Sequence, residues 1–222
     1  FVSMFDPWDG QNTPSGADLF AFNGTTWSKV AENGIETPTN QAFSAMEVFG
    51  SYLYLGTNRM DTTTDPPVIP GAQIYRSSSG DAGSWEKILD FSMMDPVRQI
   101  DLVVDMEVHA GVLYASVWNY SQGGELWRTS DGTHWQPVET PPTRRAFMVQ
   151  SMLSSNGYLY FGTNAQPSAI WRCDVCDTLG DFENVASPGL ERVDQDQNGF
   201  IDNEAVIDFR DFNGTLYAIT KN

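Results

Sequence analysis

An all-β fold, a β-propeller of four-stranded blades, is the class this sequence predicts, on three observations. A strand–turn–strand unit recurs four times, a second two-strand unit recurs beside it, and the composition is rich in aromatic residues and poor in charge. Phe, Trp and Tyr make up 13% of the chain and charged residues only 18%, which favours strands over charged helices.

The first unit reads SAMEVFGSYLYLGTN from Ser44, VDMEVHAGVLYASVW from Val104, QSMLSSNGYLYFGTN from Gln150 and IDFRDFNGTLYAITK from Ile207. Each is a strand, a glycine-bearing turn and a second strand that carries Leu-Tyr. The second unit reads GADLFAFNGTTWSKV from Gly16, GAQIYRSSSGDAGSWEKIL from Gly71, GGELWRTSDGTHWQPV from Gly123 and PSAIWRCDVCDTLGDFENV from Pro167. It is a second strand pair closed by an aromatic: Trp27, Trp85, Trp135 and, more loosely, Phe182. The repeat tyrosines, Tyr54, Tyr114, Tyr160 and Tyr217, stand at spacings of 60, 46 and 57 residues, which fits four strands per blade with loops of unequal length. Sheets this short cannot bury both faces alone, so the blades must stack. Met46, Met106, Met152 and Phe209 each stand eight residues before a repeat tyrosine and are expected to pack between blades.

In chain order this gives a part-blade over 1–36, blades over 41–91, 98–140 and 144–187, a connector over 188–204 and a part-blade over 205–222. Residues 1–5, FVSMF, occupy the place of a second strand, and so does LYAITKN at the other end. Three strands, three whole blades and two strands are expected to be an incomplete piece of a five- to seven-bladed ring, the remainder lying in a larger propeller chain. A four-bladed ring with a displaced strand is the second reading. The opening FVSMFDPWDG has neither a basic n-region nor an initiator Met and reads as processed or cut.

Charge and hydropathy narrow the partners. With 29 acidic against 12 basic residues, a formal charge of −17 repels phosphate backbones, so neither nucleic acid nor an anionic membrane surface is an expected partner. No run of eighteen apolar residues is present, so no membrane insertion is expected. The pair Cys173 and Cys176 in WRCDVCDTLG reads as a redox pair, half a zinc site, a short local disulfide or two free thiols. Sequons at Asn23, Asn119 and Asn213 fit a secreted or extracellular-surface protein, although Asn-Gly turns generate two of them.

The sharpest metal signal is DQDQNGFIDNE, Asp194 to Glu204. Calcium loops place oxygen ligands at alternate positions with glycine at the sixth. Asp194, Asp196, Asn198, the Phe200 carbonyl and Asp202 match that pattern, with Gly199 at the turn. Position twelve is Ala205, so a helix–loop–helix version is disfavoured, and Glu204 or Asp202 closes the site on the way into a strand. The expected cofactor is therefore a structural calcium that stiffens a connector between blades.

Two further sets are candidates for ligand chemistry. Inner strands carry Asp105, Glu107 and Asp208, carboxylates able to serve as an acid and base pair in glycoside hydrolysis or simply as an acidic channel wall. Loops joining second to third strands carry Trp8, Trp118 and Tyr120 beside Asn and Asp, which suits sugar stacking or a protein epitope. The expected function is noncatalytic binding of a glycan or protein by these rim loops. A carbohydrate-active hydrolase or lyase is the alternative.

At RTSDGTHW, Arg128 to Trp135, the turn resembles an Asp-box, the Ser/Thr-x-Asp-x-Gly-x-x-Trp hairpin of sialidase-type and other secreted propellers (BNR-like repeats). This copy is one residue short between Gly132 and Trp135; RSSSGDAGSW has serine in place of the aspartate, and FNGTTW keeps only the glycine and tryptophan. The resemblance implies a propeller in which the box is a folding device: its Asp caps the turn and its Trp packs into the blade. Sialidases of that type are implied to use an arginine cluster and a Tyr/Glu nucleophile. Here Arg76, Arg128 and Arg172 share one repeat position beside the box, which predicts a structural role, and no Phe/Tyr-Arg-Ile-Pro segment is present.

Overall fold

Hairpins joined by tight turns dominate the chain, and the turn residues show why. Asn156-Gly157 and Asn213-Gly214 hold consecutive positive φ angles (51° and 81°, 54° and 76°), the geometry that two-residue hairpins need and that Asn-Gly adopts most readily. The structure, a computed structural model, describes residues 2–4, 15–61, 63, 68, 70–94, 99–119, 122–139, 146–165, 168–186, 190 and 204–221. The chain separates into two compact units, 1–103 and 104–222.

The first unit opens with a three-stranded antiparallel sheet of β1 (Val2–Met4), β2 (Asp18–Phe22) and β3 (Trp27–Ala31). Next comes an antiparallel meander of β4 (Asn40–Phe49), β5 (Tyr52–Arg59), β6 (Gln73–Ser77) and β7 (Glu86–Asp90). A 3-10 turn over Phe91–Met93 leads to β8 (Ile100–His109), whose first residues belong to this unit and whose Leu102 pairs with Asn58. The core between the two sheets holds Leu19, Val30, Phe43, Leu55 and Tyr75, with Met46 and Trp85 packed against it.

The second unit continues β8 into β9 (Val112–Asn119), β10 (Gly123–Thr129) and β11 (Gln136–Val138). A second meander runs β12 (Ala146–Ser155), β13 (Tyr158–Ala165), β14 (Ile170–Cys173) and β15 (Glu183–Asn184). A last hairpin, β16 (Ala205–Phe212) and β17 (Thr215–Lys221), joins β13 through the pair Asn164 and Ala205. Met152 and Phe161 pack with Leu126, Leu159 and Tyr114 in one core, while Phe209 and Val206 meet Ile170 in another. These are four-stranded blades of a β-propeller, and Met46, Met152 and Phe209 pack where one blade meets the next.

Position within a blade sets the burial. Where a third strand follows, the second strand is well covered: β9 is buried at six of its eight residues. Outer strands are short and polar, as edges must be to avoid pairing with other chains: β11 places exposed Gln136 and Pro137 there, and β15 is Glu183–Asn184. Inner strands carry a regular irregularity. Register shifts leave Ser44, Gln150 and Ile207 as extra, unpaired residues, each two positions before Met46, Met152 or Phe209. A bulge recurring at one repeat position bends these three inner strands in the same place.

One sequence expectation differs in detail. Trp27 does not enter the core as Trp135 does: it is 55% exposed against 8%, and stacks on Phe22 at 5.1 Å.

Candidate functional site

The inner-strand carboxylates of the second unit are the natural place to look for chemistry, and their partners are main-chain amides. Asp105 on β8 accepts from Met152 N at 2.7 Å through one oxygen and from Met106 N at 2.9 Å through the other. Two residues on, Glu107 accepts from Ser154 N at 2.9 Å. Both carboxylates thus clasp β12, the next inner strand. The same junction recurs elsewhere as hydroxyl contacts: Ser44 donates to Val103 O at 2.7 Å in the first unit, and Ser151 donates to Val206 O at 3.0 Å in the second. Asp105 and Glu107 are struts between neighbouring blades.

His109, at the end of the same strand, is 4% exposed and extends the clasp. Its Nδ1 lies 2.9 Å from Ser154 Oγ and its Nε2 lies 3.0 Å from the Asp174 carbonyl oxygen. Because a carbonyl only accepts, Nε2 carries the proton and Nδ1 accepts from the serine. Asp208 binds the Arg210 guanidinium at 2.6 Å and accepts from Phe209 N at 2.9 Å.

Among the described residues two other acids are pushed upward. Glu47, half-buried, is pushed above the usual carboxylate range by desolvation. Asp101 is 2% exposed, its Oδ1 has no hydrogen-bond partner, and burial pushes its carboxyl up to about 6. A group this enclosed has no path to a substrate.

The three recurring arginines are each paired with an acid, Arg76 and Arg172 within their own blade and Arg128 across to the next. Arg76, Arg128 and Arg172 stand directly across from Tyr54, Tyr114 and Tyr160. Arg76 pairs with Glu86 on the outer strand, Arg172 with Glu183 at 2.7 and 2.8 Å, and Arg128 with Asp177. Arg76 and Arg172 also lie over the rings of Tyr52 and Tyr158 at 4.4 and 4.3 Å. A Tyr–Arg–acid ladder runs across the sheets of Arg76 and Arg172, and in the third copy Arg128 takes its acid from the following blade.

The turns that follow share one device in different chemistry. Ser77 accepts from Gly80 N at 2.8 Å, and Thr129 accepts from Gly132 N at 2.9 Å. At the corresponding place Cys173 and Cys176 form a disulfide with both residues buried. The C-x-x-C is a covalent version of the same three-residue staple, which leaves neither sulfur for zinc. In the turn between Arg128 and Trp135, Asp131 accepts from Thr133 N and His134 N, both at 2.8 Å, and the His134 amide above all holds its carboxyl well below the usual range. A cleft of about 260 Å³ beside it is lined by Arg128, Asp131, His134 and Gln136.

Of the rim residues, Trp118 lies half-buried on β9, paired with Gly124. Trp8 and Tyr120 lie outside the described residues, as do Asp194, Asp196, Asn198, Phe200 and Asp202 of the calcium loop. Glu204 is described: its N–H donates to Lys221 O and its carbonyl accepts from Ala165 N, both at 2.8 Å, so the connector enters β16 pinned on two sides. The sequon Asn119 is fully buried and donates to Glu125 Oε1 at 2.6 Å, which removes it as a glycan acceptor in the folded chain. Sequence reasoning missed the backbone contacts of Asp105 and Glu107; the Tyr–Arg register was readable from the fixed spacing of the two repeats. Among the described residues no helix is long and apolar enough to cross a membrane.

Comparison with solved structures places the fold. The chain is similar to a Trypanosoma rangeli sialidase (11% identity, TM-score 0.57, covering 91% of this chain and 38% of that one). It is also similar to a mutant of that sialidase displaying trans-sialidase activity (11%, 0.53, 79% and 33%). A β-fructofuranosidase of Bombyx mori aligns at 16% identity and TM-score 0.48, over 82% of this chain and 46% of that one. The chain therefore spans less than half the length of each. No family model matches, and no curated protein matches.

Proposed function

We propose that this chain is part of a noncatalytic, secreted or cell-surface Asp-box propeller that binds a glycan or a protein through its rim loops. One observation carries the reading: Asp105 and Glu107, the carboxylates best placed for acid and base work, each commit one oxygen to an amide of the adjacent strand. A general acid or base must instead reach the proton it transfers. The disulfide supports an oxidising compartment. Trp118 on β9, with Trp8 and Tyr120, supplies the aromatic surface; nucleic acid is excluded as partner on charge.

A calcium ion held by Asp194, Asp196, Asn198, Phe200, Asp202 and Glu204 belongs to this reading, as a clip that neutralises crowded carboxylates. The two-sided anchoring of Glu204 supports it, because a pinned ligand binds with less ordering cost. Calorimetric titration of calcium into wild type and Asp196→Ala, with melting followed in parallel, tests it. Equal melting temperatures in calcium and in chelator would retire the clip.

The alternative, a carbohydrate-active hydrolase, draws on the likeness to a sialidase. Turnover of sialosides and polysaccharides by wild type and by Glu107→Gln separates the two. The noncatalytic reading expects no turnover by either; turnover that disappears in the variant would overturn it.

A further inference from the structure

Of the three Asn-x-Ser/Thr sequons, at Asn23, Asn119 and Asn213, the fold gives each a different setting. Asn119 is buried, and its carboxamide donates to Glu125 Oε1 at 2.6 Å. Asn213 sits at positive φ in the tight turn between β16 and β17, and its threonine, Thr215, enters the ladder opposite Phe212. Asn23 stands at the tip of the β2–β3 hairpin, where every residue from Asn23 to Thr26 is exposed. Exposure there is a property of the repeat. In the corresponding turns of the two following blades, Asp81 and Ala82, and then Asp131 and Thr133, are exposed as well.

The Asn23 side chain is oriented by its oxygen. Oδ1 accepts from Thr25 N and Thr26 N, both at 2.9 Å, and lies 3.5 Å from the Thr26 hydroxyl. Asn23 N donates to Thr26 O at 3.2 Å, so the side-chain carbonyl closes the turn in place of the main-chain one. A carboxamide is planar, with oxygen and nitrogen on opposite sides of its axis, so turning Oδ1 inward to these donors turns Nδ2 outward. That nitrogen bonds to no described residue. Thr25 shows the same division of labour: its N–H goes to Asn23, while its hydroxyl bonds to no described residue. The two groups that a sequon presents to a transferase, the asparagine nitrogen and the threonine hydroxyl, are therefore the two that the turn does not use.

We propose that Asn23 is a modification site, the acceptor of an N-linked glycan in a chain that passes through a secretory compartment. The co-reactant is an oligosaccharide carried on a lipid pyrophosphate. Nδ2 gives up one proton and forms a C–N bond to the anomeric carbon of the first sugar. The bond from that carbon to the pyrophosphate oxygen breaks, and the lipid pyrophosphate leaves with the electron pair. The product is a secondary amide that keeps Oδ1 and its donors, so the turn survives the attachment. Because β2 runs from its preceding loop to this turn, the glycan stands at the far end of the strand from that second-to-third-strand loop. Occupancy rests on the secreted reading, and the proposal adds which sequon takes the sugar.

The full chain is expressed behind a secretion leader in cultured eukaryotic cells, and the secreted protein is treated with peptide N-glycosidase, which converts a glycan-bearing asparagine to aspartate. Mass spectrometry of its proteolytic fragments then reads each sequon. Conversion is expected at Asn23 and not at Asn119. Thr25→Ala is expected to abolish the conversion at Asn23, and Thr25→Ser, which keeps the hydroxyl, to retain it. Glycosidase-treated wild type and Thr25→Ala are expected to melt together by circular dichroism, because the hydroxyl holds no part of the turn. Secreted wild type with Asn23 bare would overturn the proposal, whether or not Asn213 is occupied. So would Thr25→Ala melting well below wild type, since the hydroxyl would then be structural. The leader supplies entry to the compartment, so a bare Asn23 leaves the rim-binding reading standing, and failure of ligand binding leaves the modification site standing.

Discussion

Replacing Asp105 tests whether the inner-strand acids are struts. Asp105→Ala strips the acceptor from Met152 N, which lies 2.7 Å away on the neighbouring inner strand. A partly buried donor left unsatisfied costs about 1–3 kcal/mol, with a charged acceptor toward the upper end. For a chain of this size each kcal/mol shifts the melting temperature by about 2–4 °C, so a fall of about 3–10 °C is expected. Asp105→Asn keeps an oxygen in the same place and loses only the charge, so its fall should be less than half as large. Differential scanning calorimetry of the two variants beside wild type measures both. If Asp105→Ala melts within about 1 °C of wild type, the contact does not hold the blades. If the two variants fall equally, charge and not hydrogen bonding is what matters. Either result would reopen the acid and base reading.

Three further perturbations have definite signs. A Cβ added at Gly162 would stand 2.5 Å from Val206 Cβ and 2.7 Å from its Cγ1, so Gly162→Ala overpacks the junction of β13 with β16. A loss of about 1–3 kcal/mol in urea unfolding is expected. Asp101 titrates near 6 in the folded chain against an ordinary value of 3.8, so its favourable state is fully present below about pH 4 and lost as pH rises through 6. Asp101→Asn should therefore match wild type at pH 4 and be more stable at pH 8, by on the order of 2–3 kcal/mol at most, as thermal melts across pH would record. Exchanging both Cys173 and Cys176 for serine opens a closed loop of only four residues, which predicts a loss of about 2 kcal/mol by denaturant titration and no change in strand content by circular dichroism.

Much of the fold was legible because strand pairs repeat. The Leu-Tyr motif located the second strands, and Met106, Met152 and Phe209 are all buried as expected of residues packing between blades. The arginines read as structural because a shared repeat position sets each across from a repeat tyrosine and within reach of an acid. What sequence could not supply is distance. Asp105 and Glu107 look like free channel acids until Met152 N and Ser154 N are found beside them, 47 residues further along the chain. Trp27 looked like its repeat partner Trp135, but a conserved-looking spacing does not say whether a neighbouring blade covers the ring. The cysteine pair stayed ambiguous for a different reason: only the turn geometry reveals that it stands where Ser77 and Thr129 place a hydroxyl.

The bulge that precedes Met46, Met152 and Phe209 also decides which changes the repeat can absorb. Side chains alternate faces along a strand, so one surplus residue turns over everything on its N-terminal side. Deleting Ser44, Gln150 or Ile207 would straighten the ladder and send Phe43, Val149 or Val206 from the core to the opposite face. A one-residue deletion there does more harm than any single substitution nearby. Duplication and exchange of blades can succeed only when whole inner strands move with their surplus residue in place, so the bulge is a reading frame for the architecture.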